Sequence, residues 1–153
     1  SVFFVSPSPP KNIKKYKSNI GTVKTKNAIK ESEKVISSFD VKTPGTNTLA
    51  TALSGGNQQK FVVGRELEDN PSLLIASQPT RGIDIGAQAL IWEKLRTTRD
   101  QGLSVLLISA DLEELIGLSD RIIVFYQGRL VKELNAENVT PEDLGGYMTG
   151  LKK

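Results

Sequence analysis

Leu53-Ser54-Gly55-Gly56-Asn57-Gln58-Gln59-Lys60 is the run on which the reading of this 153-residue chain turns. Ser54 is a plausible helix N-cap, and Phe61, Val62, Arg65 and Leu67 continue the helical spacing until Asn70-Pro71, where the helix should fray. Gly55 and Gly56 fall in the first turn and leave several amide N–H groups unshielded. The helix start can therefore receive a phosphate oxygen, with the serine hydroxyl as a further donor. On these local grounds alone, an ordinary capped helix with a flexible first turn explains the run equally well.

Upstream, Ala28, Ile29, Val35, Ile36 and Phe39 keep helical spacing and predict a helix over Thr25 to Asp40, broken by Pro44, Gly45 and Asn47. Residues 1 to about 23 carry Pro7, Pro9 and Pro10 and then lysines, and read as a linker with a short strand at Ser1 to Val5. Downstream, Ser72-Leu73-Leu74-Ile75-Ala76 is short, continuously apolar and bounded by prolines, as a buried strand is. A glycine-containing loop leads to a helix from Ile85 to Gln101 ended by Gly102. A strand follows over Leu103 to Ser109, then a helix over Leu112 to Leu118 and a strand over Arg121 to Tyr126. Gln127-Gly128 turns into a last strand around Leu130-Val131, and Thr140-Pro141 opens a final helix as cap and first residue. This alternation predicts an α/β domain with a largely parallel sheet and flanking helices, a C-terminal β-hairpin and a short helix.

Composition narrows the chemistry. Apolar residues are 38% and charged residues 24%, as in a folding soluble domain, and the length suits one domain. With no cysteine and no histidine, disulfides, Cys/His zinc sites and histidine-based catalysis are excluded within this chain. The apolar runs are strand-sized, far below the roughly 18 residues of a membrane span. Ser1 to Val5 lacks the features of a secretory signal and reads as an internal start. The net charge of +3 arises largely from lysines in the first third. That arm reads as a solvated lead-in, while anionic lipid or nucleic acid is the alternative. Trp92 is expected in the core, and Glu93, Glu113 and Glu114 on solvated helix faces.

The eight-residue run resembles the signature motif of ABC ATPases, and the resemblance extends along most of the chain. Leu73 to Thr80 looks like the Walker B strand and Arg81-Gly82-Ile83-Asp84 like the D-loop. Leu106 to Glu114 resembles the switch strand and helix, and Ser119-Asp120-Arg121-Ile122 the next strand. Leu53 to Lys60, taken with Pro79 to Asp84, is most similar to the second ATPase domain of the tandem ATP-binding subunits of bacterial sugar and nucleoside importers. The ending Gly145 to Gly150 leans toward the nucleoside branch.

Departures from the family pattern matter as much. No Gly-x-x-x-x-Gly-Lys-Ser/Thr occurs, so the phosphate-cradling loop is missing from this chain, which reads as a partial P-loop NTPase domain. Ser77 and Gln78 stand where the family has the Mg²⁺-holding Asp and the water-positioning Glu, and Ala110 stands at the switch histidine. The resemblance therefore implies a degenerate site of its own, with no catalytic residue and no metal. It also implies that Ser54, Gly55, Gly56 and Asn57 contact a nucleotide held by another domain, with Asp84 as the D-loop aspartate. Residues 24–153 form the partial ABC domain in this reading, divided into a signature region over 24–70 and a Walker B to C-terminus region over 71–153.

The same resemblance implies ATP and Mg²⁺ in the assembled protein and neither bound tightly by this chain alone. The implied partners are the first ATPase domain of the same subunit, transmembrane permease subunits and, indirectly, an extracytoplasmic solute-binding protein, with no nucleic acid. The place implied is the cytoplasmic face of the inner membrane. Two other classes stay open: a soluble ABC ATPase of translation or DNA repair, and a non-enzymatic interaction module with the same fold.

Overall fold

The computed structural model describes residues 25–68 and 71–152. The lead-in over 1–23, its opening strand and the lysines of the basic arm up to Lys24 lie outside them. The chain divides into two compact units, one ending at Leu106 and the other beginning at Leu107.

In the first unit, helix α1 (Thr25–Ser38) is followed by a short 3-10 turn (Ala50–Ala52) and by helix α2 (Gly55–Glu68). Strand β1 (Leu73–Ser77) and helix α3 (Ile85–Asp100) follow, and strand β2 (Ser104–Ile108), which starts in this unit and runs across its boundary, completes a βαβ crossover as the neighbour of β1 in one parallel sheet. Val35 of α1 with Phe39 beyond its end, Leu67 of α2, and Ile91 and Leu95 of α3 are buried as their spacing predicts; Val63 and Ala87 are buried as well, while Phe61, Val62 and Leu90 are only half-buried. Asp40, at φ 47°, closes α1 in the left-handed conformation, and Val41 N donates back to Ile36 O at 3.0 Å. At Gly64 the two first helices come so close that a Cβ would lie 2.7 Å from both Phe39 Cδ2 and Val35 Cγ1. Gly102, at φ 101°, ends the turn that follows α3.

The second unit contains helix α4 (Leu112–Leu118), strands β3 (Arg121–Tyr126) and β4 (Arg129–Asn135), a 3-10 turn (Ala136–Asn138) and helix α5 (Pro141–Met148). Strands β3 and β4 form an antiparallel hairpin with Tyr126 opposite Arg129, and an irregularity between Val124 and Phe125. Its two turn residues, Gln127 at φ 48° and Gly128 at φ 75°, both have the positive φ of a type I′ turn. Strand β3 turns Ile122 and Val124 inward onto Ala136, Val139 and Leu144, while Ile123 and Phe125 stay exposed. Thr140 caps α5 by accepting from Asp143 N at 3.1 Å, with Pro141 in the first turn.

The first four helices match their expected bounds within two residues, and the last begins at Pro141 as expected. Strand β4 is longer than expected, running on to Asn135. Glu114 is a correction: it is 1% exposed, on the inner side of α4 and not on a solvated face. Trp92 is half-buried, with the Arg96 guanidinium 5.8 Å above its ring. Among the described residues no helix is long and apolar enough to cross a membrane.

Candidate functional site

The start of α2 and the loop before α3 meet within the first unit. Gly56 is buried, and a Cβ there would lie 2.8 Å from Asp84 Oδ2 and 3.1 Å from Ala87 Cβ. Gly55 stays exposed and faces Gly82 O, which a Cβ would reach at 4.0 Å. The two glycines therefore serve different ends. Gly56 is the only residue type that fits against the carboxylate of Asp84, whereas Gly55 leaves an open backbone at the helix tip. The first intrahelical bond runs from Gln58 N to Ser54 O at 2.9 Å, so the amides of Gly55 and Gly56 precede it and point out of the helix end.

Asp84 caps α3, its Oδ1 accepting from Ala87 N at 2.9 Å, while its other oxygen faces Gly56. One carboxylate thus caps the start of α3 and packs closely against the start of α2. Gly82 takes φ 74°, a conformation open to glycine, in the loop that delivers Asp84 to this position.

Ser54 occupies the cap position of α2, but its bond from Asn57 N is long at 3.4 Å; the shorter one comes from Asn57 Nδ2 at 2.9 Å. Asn57 Oδ1 in turn accepts from Lys42 N at 2.8 Å. Two further contacts hold the same upstream loop: Lys60 Nζ donates to Asp40 O at 3.3 Å, and Lys42 Nζ pairs with Asp40 Oδ1 at 2.6 Å. The hydrogen bond from Lys42 holds the exposed Asp40 carboxyl below its ordinary value.

Ser77 ends β1 half-buried, and Gln78 follows at φ 50°, its carbonyl accepting from Arg81 N at 3.3 Å. Neither side chain offers a negative charge. Among the described residues no group of three or more His, Cys, Asp or Glu side chains is placed to hold a metal ion. Ala110 belongs to the second unit, where it is exposed between β2 and α4. Asp111 is the N-cap of α4, accepting from Glu114 N at 3.1 Å. Helix-start chemistry pointed to Ser54 and the glycines, and the family resemblance to Asp84. The link from Asn57 to Lys42 went unseen, because it joins residues fifteen apart through a side chain.

No family model matches the chain. It is 47% identical over 137 residues to the guanosine import ATP-binding protein NupO of Bacillus subtilis, covering 90% of this chain and 27% of that protein. It is 40% identical over 136 residues to the ribose import ATP-binding protein RbsA of Clostridium tetani, covering 89% and 27%. To the nucleoside import ATP-binding protein NupA of Lactococcus lactis subsp. cremoris it is 46% identical over 112 residues, covering 73% and 22%. The chain thus spans about a quarter of the length of these curated relatives.

Among solved structures, a dimeric ATP-binding cassette bound to ADP and Pi in a post-hydrolysis state superposes with TM-score 0.65 at 23% identity, covering 81% of this chain and 52% of that one. A nucleotide-free ATP-binding cassette from an ABC transporter gives TM-score 0.66 at 23% identity, covering 92% and 56%. These two likenesses establish the ABC ATPase fold. The sequence matches place the chain in the family of ABC ATP-binding proteins of sugar and nucleoside import, of which it represents a part.

Proposed function

We propose that this chain is the signature-bearing part of the second ATPase domain of an ABC importer's ATP-binding subunit. In this reading the turn from Ser54 to Asn57 faces an ATP held by the phosphate loop of the first domain. The Ser54 hydroxyl and the amides of Gly55 and Gly56 donate to its terminal phosphate, and the dipole of α2 adds to the attraction. Mg²⁺ and the hydrolytic groups belong to that other domain, since Ser77, Gln78 and Ala110 supply neither a metal ligand nor a base.

The observation that carries this reading is the packing of Gly56 against Asp84, with a Cβ-to-Oδ2 separation of only 2.8 Å. It couples the phosphate-facing turn to the D-loop, so that closure on ATP at one would be felt at the other. Residues 24–153 act here as one partial ABC domain, and 1–23 as the connection leading into it. ATP binding would draw the two ATPase domains together and move transmembrane permease subunits at the cytoplasmic face of the membrane. A solute-binding protein would deliver a sugar or nucleoside on the far side.

The test is S54A in the assembled ATP-binding protein with its permease, reading ATP hydrolysis and solute uptake. Removing a donor to a phosphate should reduce both by roughly ten- to a hundredfold. Unchanged hydrolysis and uptake would instead favour an interaction module that has lost nucleotide contact.

A further inference from the structure

We infer that Asn57 is a positioning residue that never touches the nucleotide: it holds the Ser54 hydroxyl so that its proton points outward, and it sets that orientation from the Lys42 backbone. The inference rests on the reading of the Ser54 turn as a phosphate contact and assigns Asn57 a separate task within it.

The direction of the network is fixed by chemistry at its far end. A backbone N–H only donates, so the atom of Asn57 that lies 2.8 Å from Lys42 N must be the carbonyl oxygen. The amide nitrogen is then committed to the other side, where it donates to Ser54 Oγ at 2.9 Å. Ser54 Oγ also receives Asn57 N at 3.4 Å. A hydroxyl has two acceptor positions and one proton. With Asn57 Nδ2 seated on one acceptor position and Asn57 N facing the oxygen at long range, Ser54 is turned to donate away from Asn57, and that suits an anion. Donors in series polarise one another, which strengthens the last one.

Lys42 stands in the loop that Lys60 holds through Asp40 O at 3.3 Å, so the far end of the relay is itself anchored to α2. Asn57 thereby converts the position of the loop over Val41 to Thr43 into the orientation of one hydroxyl.

The test is a double-mutant cycle of S54A and N57A in the assembled ATP-binding protein, reading the Kd for a non-hydrolysable ATP analogue alongside the hydrolysis rate. Each single variant should weaken binding by roughly tenfold or more, and N57A should add nothing once Ser54 is gone. A purely structural loss, or a direct contact of Asn57 with the nucleotide, would persist in the S54A background and overturn the inference while leaving the phosphate-contact reading intact. If S54A alone leaves the Kd unchanged, that reading fails and the inference with it. N57D guards against misfolding as the explanation, because its carboxylate still accepts from Lys42 N but has no proton to give Ser54. It should keep the wild-type thermal midpoint and lose affinity like N57A. Full affinity in N57D would also overturn the inference.

Discussion

A methyl group on Gly56 would lie 2.8 Å from Asp84 Oδ2, closer than real Cβ contacts come, and 3.1 Å from Ala87 Cβ. G56A should therefore cost about 1–3 kcal/mol, as overpacking does, and loosen the cap of α3 along with the start of α2. Thermal unfolding of the chain measures it; an unchanged midpoint would mean that the starts of α2 and α3 are not held together. Gly55 is the control, because a Cβ there meets only Gly82 O at 4.0 Å, so G55A should be much milder in stability.

Asp40 provides a residue-scale test by pH. Its carboxyl is lowered from 3.8 chiefly by the Lys42 hydrogen bond, so the paired form stabilises the fold above that value, and the contribution is lost as pH falls through the lowered one. K42A should flatten this part of the acid dependence of the thermal midpoint, while leaving the backbone bond from residue 42 to Asn57 available. The effect should be small, since Asp40 is exposed. Among the candidate site residues, Ser54, Gly55 and Gly56 were singled out by capping and helix-start chemistry and Asp84 by resemblance to the D-loop. The relay through Asn57 and the burial of Glu114 were not, because both depend on what packs against the helix.

Elements were read well where the periodicity was long or the punctuation strong. Helix α1 showed itself by apolar spacing, α3 by Gly102, and α5 by Thr140-Pro141, where cap and first-turn proline coincide. Strand β4 was underestimated because Lys132, Glu133 and Asn135 interrupt its apolar character, and pairing with β3 carries it on. The close approach of α1 and α2 at Gly64 had no sequence signal, since a glycine inside a helix reads as a weak point. There the fold reverses the usual propensity argument. G64A should destabilise by about 1–3 kcal/mol despite alanine's better helix propensity, because its Cβ would sit 2.7 Å from Phe39 and Val35. A stabilising G64A, measured by chemical denaturation, would contradict that packing. T140A should cost about 1 kcal/mol through loss of the α5 cap, seen as a lower unfolding midpoint of the second unit.

At the scale of the molecule, the α/β alternation and the C-terminal hairpin were both legible: among the described residues β1 and β2 share the parallel sheet and β3 and β4 form the antiparallel pair that the Gln127-Gly128 turn announces. Strands β2 and β3 are apolar on both faces in sequence, which normally marks strands covered on both sides, yet Leu106, Ile108, Ile123 and Phe125 remain exposed. In the function proposed above, a signature-like turn, a Walker B-like strand without its carboxylates and a D-loop-like segment contribute to a nucleotide site that another domain owns. The most direct test is calorimetric titration of Mg-ATP into this chain alone. The account predicts no saturable heat up to about millimolar nucleotide. Saturable binding at roughly micromolar ATP, with turnover, would contradict it and make this chain a self-contained nucleotide enzyme.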